Sequence, residues 1–115
     1  MLRSKLHNAC VTQCDLHYEG SVSIDRDLIE EAGMLVHERV DIWNITNGAR
    51  ISTYIIEAPR GSRTIGINGA AARLFQREDR VIIATFAGMS EQEAREHRPV
   101  VVILANDNSV VQTNR

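Results

Sequence analysis

The stretch Val40-Asp41-Ile42-Trp43-Asn44-Ile45-Thr46-Asn47-Gly48-Ala49-Arg50-Ile51-Ser52-Thr53-Tyr54-Ile55-Ile56 places Asn-Gly between two runs rich in β-branched and aromatic residues. That dipeptide between such runs is the strongest short-range signal for a β-hairpin. Alternation along the second strand puts Arg50, Ser52 and Tyr54 on one face and Ile51, Thr53 and Ile55 on the other. A cation, a hydroxyl and a phenol therefore share a face, which on residue type alone reads as a solvated polar surface. Trp43, alone on the first strand, reads as core or subunit interface rather than as a stacking platform for a ligand.

Outward from the hairpin, the pattern stays mainly β. The first twenty residues carry β-formers (Val11, Thr12, Tyr18) and predict one or two short strands leading into Gly20. Ile24 to Gly33 has an Asp to cap its start, apolar residues at helical spacing and a Gly to stop it, which predicts a short helix. Ala58-Pro59-Arg60-Gly61-Ser62 reads as a turn and Thr64 to Ile67 as a strand. The small-residue run Asn68-Gly69-Ala70-Ala71-Ala72 lets other backbone or a ligand come close. Arg80 to Phe86 predicts a buried strand, Ser90-Glu91-Gln92-Glu93 a capping box that opens a second short helix, and Val100 to Leu104 a final strand. Many short strands with two short helices point to one compact, mainly β barrel over residues 1–115 rather than a parallel α/β sheet.

At 115 residues the chain can bury one core and not two. Its apolar runs are too short to cross a bilayer, and the N-terminus has no apolar segment before a small-residue cleavage site. A cytoplasmic protein without a membrane partner is expected. With a formal net charge of -2 and interspersed signs there is no sustained basic patch for a nucleic-acid backbone. Two cysteines in such a domain are expected to stay reduced, as structural thiols. No phosphate-binding Gly-Lys-Ser/Thr loop, dinucleotide fingerprint or His-Glu-x-x-His helix occurs.

One stretch carries chemistry of its own. In Tyr18-Glu19-Gly20-Ser21 a hydroxyl directly follows a glycine, and such a hydroxyl can attack the carbonyl of its own preceding peptide bond. Glycine, without a Cβ, admits unusual dihedrals and does not crowd the five-membered ring that the attack passes through. Gly61-Ser62 is the same pair flanked by Pro59, Arg60 and Arg63, and reads as an ordinary turn. His7, Cys10, Cys14 and His17 would present four zinc ligands on one face of a helix. The local composition favours strand, where alternation parts the cysteines from the histidines, so no metal is assigned. His37 and His97, in charged surroundings, read as surface residues.

Several motifs in order add a resemblance. Lys5-Leu6-His7, Asp15 to Ser21, Asp41-Ile42-Trp43-Asn44, Thr46-Asn47-Gly48, Ser52-Thr53-Tyr54, Arg60 to Arg63, Asn68 to Ala72 and Glu93-Ala94-Arg95 make nearly the whole chain similar to the bacterial aspartate 1-decarboxylases, pyruvoyl enzymes of pantothenate synthesis. The resemblance implies a double-psi β-barrel, a homotetramer with active sites between subunits, and L-aspartate as substrate. It also implies self-cleavage between Gly20 and Ser21 into residues 1–20 and 21–115, the second headed by a pyruvoyl group derived from Ser21. That ketone would take the substrate amine as a Schiff base and serve as electron sink for loss of CO₂ without pyridoxal phosphate. By the same resemblance Tyr54 is the proton donor, Thr53 serves substrate binding and processing, and Arg50 binds a substrate carboxylate. Gly69, Ala70 and Ala71 supply backbone to the substrate, and Asn68, Lys5, His7 and Trp43 line the site. The resemblance gives no role to Cys10 or Cys14 and leaves the need for an accessory maturation factor open. The alternative from another class is a non-catalytic β-barrel interaction module that never matures. Alternation puts Thr53 and Tyr54 on opposite faces, and a site between subunits or a local bulge would let both take part.

Overall fold

The computed structural model describes residues 1–115, and its elements follow the predicted pattern closely. In chain order they are β1 (Leu2–Cys10), β2 (Gln13–Asp15), β3 (Ser21–Asp25), α1 (Arg26–Ala32), β4 (Arg39–Asn44), β5 (Arg50–Ala58), β6 (Ile65–Asn68), a 3-10 turn (Gly69–Leu74), β7 (Arg80–Phe86), α2 (Glu91–Glu96), β8 (Val100–Leu104) and β9 (Val110–Asn114). The strands form one mixed nine-stranded sheet in the order β2-β6-β3-β5-β4-β7-β1-β8-β9. The fold is thus mainly β with two short α-helices, as expected. No helix is long and apolar enough to cross a membrane.

β5 is the strand that joins the two parts of this sheet. Arg50 to Tyr54 pair antiparallel with β4, and Ile55 to Ala58 pair parallel with β3. A single strand can serve two partners in this way because the sheet twists between them. Inward-facing Leu6, Ile42, Val81, Ile83, Val22, Ile24, Ile55, Ile65 and Ile67 are fully or almost fully buried and form one core with Leu28 and Ile29 of α1. β-branched residues dominate that list, as expected where side chains pack on a pleated surface.

The hairpin forms as predicted, with a five-residue connection from Ile45 to Ala49 rather than a two-residue turn. Asn44 holds it: its buried side-chain oxygen accepts from the Thr46 and Asn47 amides at 2.9 and 3.3 Å, and its amide donates to Asp79 at 2.8 Å. Gly48 supplies the left-handed residue at φ +82°. The sequence predicts no strand beyond β8, but Asn106 to Ser109 turn the chain back and β9 pairs antiparallel with β8. Its Val110-Val111 start is exposed, so it lacks the alternating apolar face that marks a half-buried strand.

Asp25 fixes the neighbourhood of β3. It caps α1 by accepting from the Asp27 amide at 2.8 Å, and it also accepts from the Gly61 and Arg63 amides at 3.0 and 2.7 Å. The turn read at Pro59 to Ser62 is therefore tied to the helix start, and Ser62 remains exposed in it. Asp25→Ala removes a cap and strands two further amide donors, so we expect a loss of about 3 kcal/mol. Urea unfolding measures it, and a loss below about 1 kcal/mol would contradict this role.

Candidate functional site

The boundary between Gly20 and Ser21 is where an exposed loop enters the buried sheet. Leu16 to Gly20 are exposed, whereas Ser21, the first residue of β3, is 1% exposed. β3 and β6 pair antiparallel with Ser21 opposite Asn68. The buried Asn68 carboxamide donates to Ser21 Oγ at 3.1 Å and to Ser23 Oγ at 3.0 Å. The Ser21 hydroxyl also lies 3.4 Å from the Glu19 carbonyl oxygen, a weak contact. A hydroxyl oxygen that accepts from a buried amide is oriented, and negative charge developing on it is stabilised in low dielectric.

Backbone approach is closest at Gly69. It has φ +68°, and a Cβ there would sit 2.8 Å from Gly20 Cα and 3.0 Å from Gly20 N. The small-residue run read from the sequence is thus a cradle for the Gly20 backbone. At Gly20 a Cβ would meet nothing within 4 Å beyond its own chain neighbours, and its φ is not positive. In the intact chain the steric need for glycine lies on Gly69, because Gly20 is the surface residue and Gly69 the one packed against it.

A cleft of about 380 Å³ opens at this point, lined by Gly20, Ile51, Ser52, Thr53, Asn68, Ala70, Ala71 and Leu74. Gly20, Thr53, Asn68, Ala70 and Ala71 are thus brought together, with Ser21 and Gly69 against them. The other expected residues lie elsewhere. Register aligns Lys5 with Ala84, Ala84 with Asp41 and Asp41 with Ser52, while Trp43 lies opposite Arg50 and Arg39 opposite Tyr54. Lys5 and His7 are on the same side of β1, so Lys5, His7, Trp43, Arg50 and Tyr54 share the outward face of four adjacent strands. The predicted opposition of Thr53 and Tyr54 is found, with Tyr54 exposed and Thr53 half-buried facing the cleft.

On that outward face the Arg50 guanidinium stacks over Trp43, 4.9 Å from the ring centroid, and Phe86 packs against the same indole at 6.3 Å. Trp43 is therefore half-buried outside the core, a platform for Arg50. A second cleft bordered by Asp41, Trp43 and Arg50 shares Ile51 and Ser52 with the first, so β5 is the common wall. Burial, and secondarily the charge of Lys5, lowers the pKa of the His7 imidazole. Its Nδ1 is buried without a partner.

The other singled-out residues lie apart from the cleft. Cys10 ends β1, Cys14 is in β2 and His17 follows in a turn, so they do not share a helix. Both thiols are free, and Cys14 is pushed above the usual thiol range, first by burial and then by Asp79. His37 is exposed, but His97 is half-buried, its Nε2 2.7 Å from the Leu2 carbonyl oxygen. The residue that sequence reasoning passed over is Ser23. Its signal was the i, i+2 spacing from Ser21, which puts both hydroxyls on one side of β3.

Fold and site together define a small β protein with a buried serine at a loop-to-strand boundary beside a cleft. The chain belongs to the aspartate decarboxylase family: the family model described as aspartate decarboxylase matches residues 1–111. Among curated relatives, aspartate 1-decarboxylase of Hyphomonas neptunium is 66% identical over 96% of this chain and 93% of its own length. The aspartate 1-decarboxylases of Maricaulis maris (62% identical, 96% and 92% covered) and Caulobacter vibrioides (58%, 96% and 93%) are similar to it in the same way.

Gly69→Ala forces a left-handed Cβ into the Gly20 backbone, and we expect it to cost at least about 1–2 kcal/mol. Chemical denaturation reports the loss, and a variant as stable as the native chain would contradict the close packing.

Proposed function

We propose that the chain decarboxylates L-aspartate at its α-carboxylate, giving β-alanine and CO₂, with a pyruvoyl group made from its own Ser21. The observation that carries this reading is the buried Ser21 hydroxyl, held at 3.1 Å by the Asn68 amide where exposed Gly20 gives way to buried Ser21 at the cleft of a family member. The residues present fit the group. Ser21 needs no exposed side chain to react, because its target, the Gly20 carbonyl, is in its own chain.

Maturation then proceeds by balanced steps. Ser21 Oγ attacks the Gly20 carbonyl carbon, the hydroxyl proton leaves, the Ser21 nitrogen gains one, and the peptide becomes an ester. Loss of the Ser21 α-proton expels the Gly20 carboxylate and leaves dehydroalanine. Water adds, ammonia leaves, and residues 21–115 begin with the ketone while residues 1–20 end in a carboxylate. Asn68 stabilises the hydroxyl oxygen during attack, and the Thr53 hydroxyl lines the same cleft.

Once formed, the group supplies a carbonyl that captures the substrate amine and draws off the electron pair left by CO₂. Around it the chain's own residues bind and move protons. Arg50 offers a planar, bidentate donor set for a substrate carboxylate, oriented by its stacking on Trp43. Tyr54 returns a proton to the α-carbon, and Gly69, Ala70 and Ala71 present backbone without side-chain obstruction. Lys5 and a predominantly neutral His7 complete the polar lining at neutral pH.

The cleft and the outward face lie on two sides of β5, which supports a homotetramer in which the face of one subunit closes the cleft of the next. We place this activity in the cytoplasm, a compartment that suits two unpaired thiols.

Purified protein incubated with L-aspartate is expected to release CO₂ and β-alanine, and a carbonyl-reactive hydrazine to abolish both. A single chain without turnover would support the non-catalytic module instead. Ser21→Ala is expected to remain uncleaved and inactive while folded, as seen by intact mass and circular dichroism. Residual decarboxylation would place the electron sink elsewhere. Tyr54→Phe is expected to cleave normally yet to form β-alanine at least about a hundredfold more slowly, the usual scale for a lost general acid. Normal turnover would remove Tyr54 from the mechanism.

A further inference from the structure

We propose that Ser23 is a positioning residue for self-cleavage, acting through Asn68; the inference rests on the self-processing reading above. Ser21 and Ser23 are two apart on β3, and their hydroxyls bracket one carboxamide. Asn68 Nδ2 has two hydrogens, and the two serine oxygens take one each, at 3.1 and 3.0 Å. Asn68 is 2% exposed and Ser23 9% exposed, so both amide hydrogens are held mainly by protein partners.

The consequence is directional. A carboxamide can rotate by half a turn about its last side-chain bond, which would exchange its donor and acceptor ends. With the donor toward Ser21, the Ser21 oxygen accepts a hydrogen bond, its proton is free to leave, and charge on that oxygen is stabilised. With the acceptor toward Ser21, the hydroxyl proton is held by Asn68 Oδ1 and the nascent alkoxide faces a lone pair. Ser23 supports the first arrangement because its oxygen receives the second amide hydrogen, so that both donors of the carboxamide are satisfied with the donor end toward Ser21. Removing that acceptor strands a buried N–H and loosens the carboxamide that faces Ser21.

The geometry around Ser23 suits this role rather than direct attack. Ser23 lies opposite Gly66 in the β3–β6 ladder and opposite Ile56 in the β3–β5 ladder, both inside the sheet. It also lines a third cleft, of about 330 Å³, with Gln13, Asp15, Tyr18 and Glu57, in which Asn68 again takes part. Asn68 therefore separates two clefts, and Ser23 holds it from the side away from Thr53, Ala70 and Ala71.

The test compares two isosteric variants, Ser23→Thr and Ser23→Val, which differ in the hydroxyl and share β-branched shape. Freshly purified chains are followed by intact mass as the single chain converts to two fragments, and folding is checked by thermal unfolding. Ser23→Thr is expected to cleave within about twofold of the native rate and Ser23→Val about tenfold more slowly, a loss on the scale of one hydrogen bond. Equal rates in the two variants would overturn the proposal, as would native-rate cleavage of Ser23→Ala. If both variants unfold, Ser23→Ala with Ser23→Gly supplies the comparison without added volume, and native-rate cleavage in either has the same adverse meaning. A native chain that never cleaves defeats the self-processing reading, an outcome distinct from a native chain that cleaves together with variants that do so equally.

Discussion

The pairing of β3 with β6 is the constraint on which the rest of the site depends. It sets Ser21 opposite Asn68, buries both, and leaves the peptide bond before Ser21 at the edge of an exposed loop. In that frame Gly69 must be glycine, because its left-handed backbone lies under Gly20 with no room for a Cβ. A slip of one residue in this register would turn Ser21 and Ser23 to the other side of the strand and dissolve the cluster around the Asn68 amide.

β5 is the second organising element. It pairs with β4 through its first half and β3 through its second, so the strand that carries Arg50 and Tyr54 also forms the wall beside the Ser21 region. Strand alternation then divides the chemistry. Thr53 looks into the cleft, while Arg50 and Tyr54 join Lys5, His7 and Trp43 on the outward face. In the proposed assembly, a site built from both sets draws on a second copy of the chain, and the alternation that separates the residues within one chain would offer them to that copy.

Much of the fold is legible in local sequence signals. The Asn47-Gly48 hairpin, the Asp25-capped helix, the Ser90 capping box and the buried β7 strand each had a local signal of the correct period or cap, and each forms. β9 was not legible, because exposed Val110 and Val111 carry no alternation and its existence depends on pairing with β8. The cluster Ser21, Thr53 and Asn68 to Ala71 was legible only through family motifs, since its members come from four separate elements. The steric burden on Gly69 rather than Gly20, the stacking of Arg50 on Trp43 and the Ser23 contact to Asn68 all depend on register and close approach, which composition does not encode.

The central claim is that Ser21 cuts its own chain and becomes the electrophile. Intact-mass measurement of the purified protein tests it most directly. The account predicts two species, residues 1–20 with a free carboxylate and residues 21–115 bearing a terminal ketone in place of the serine amine. A single mass equal to the uncut chain, unchanged after prolonged warming, would contradict it.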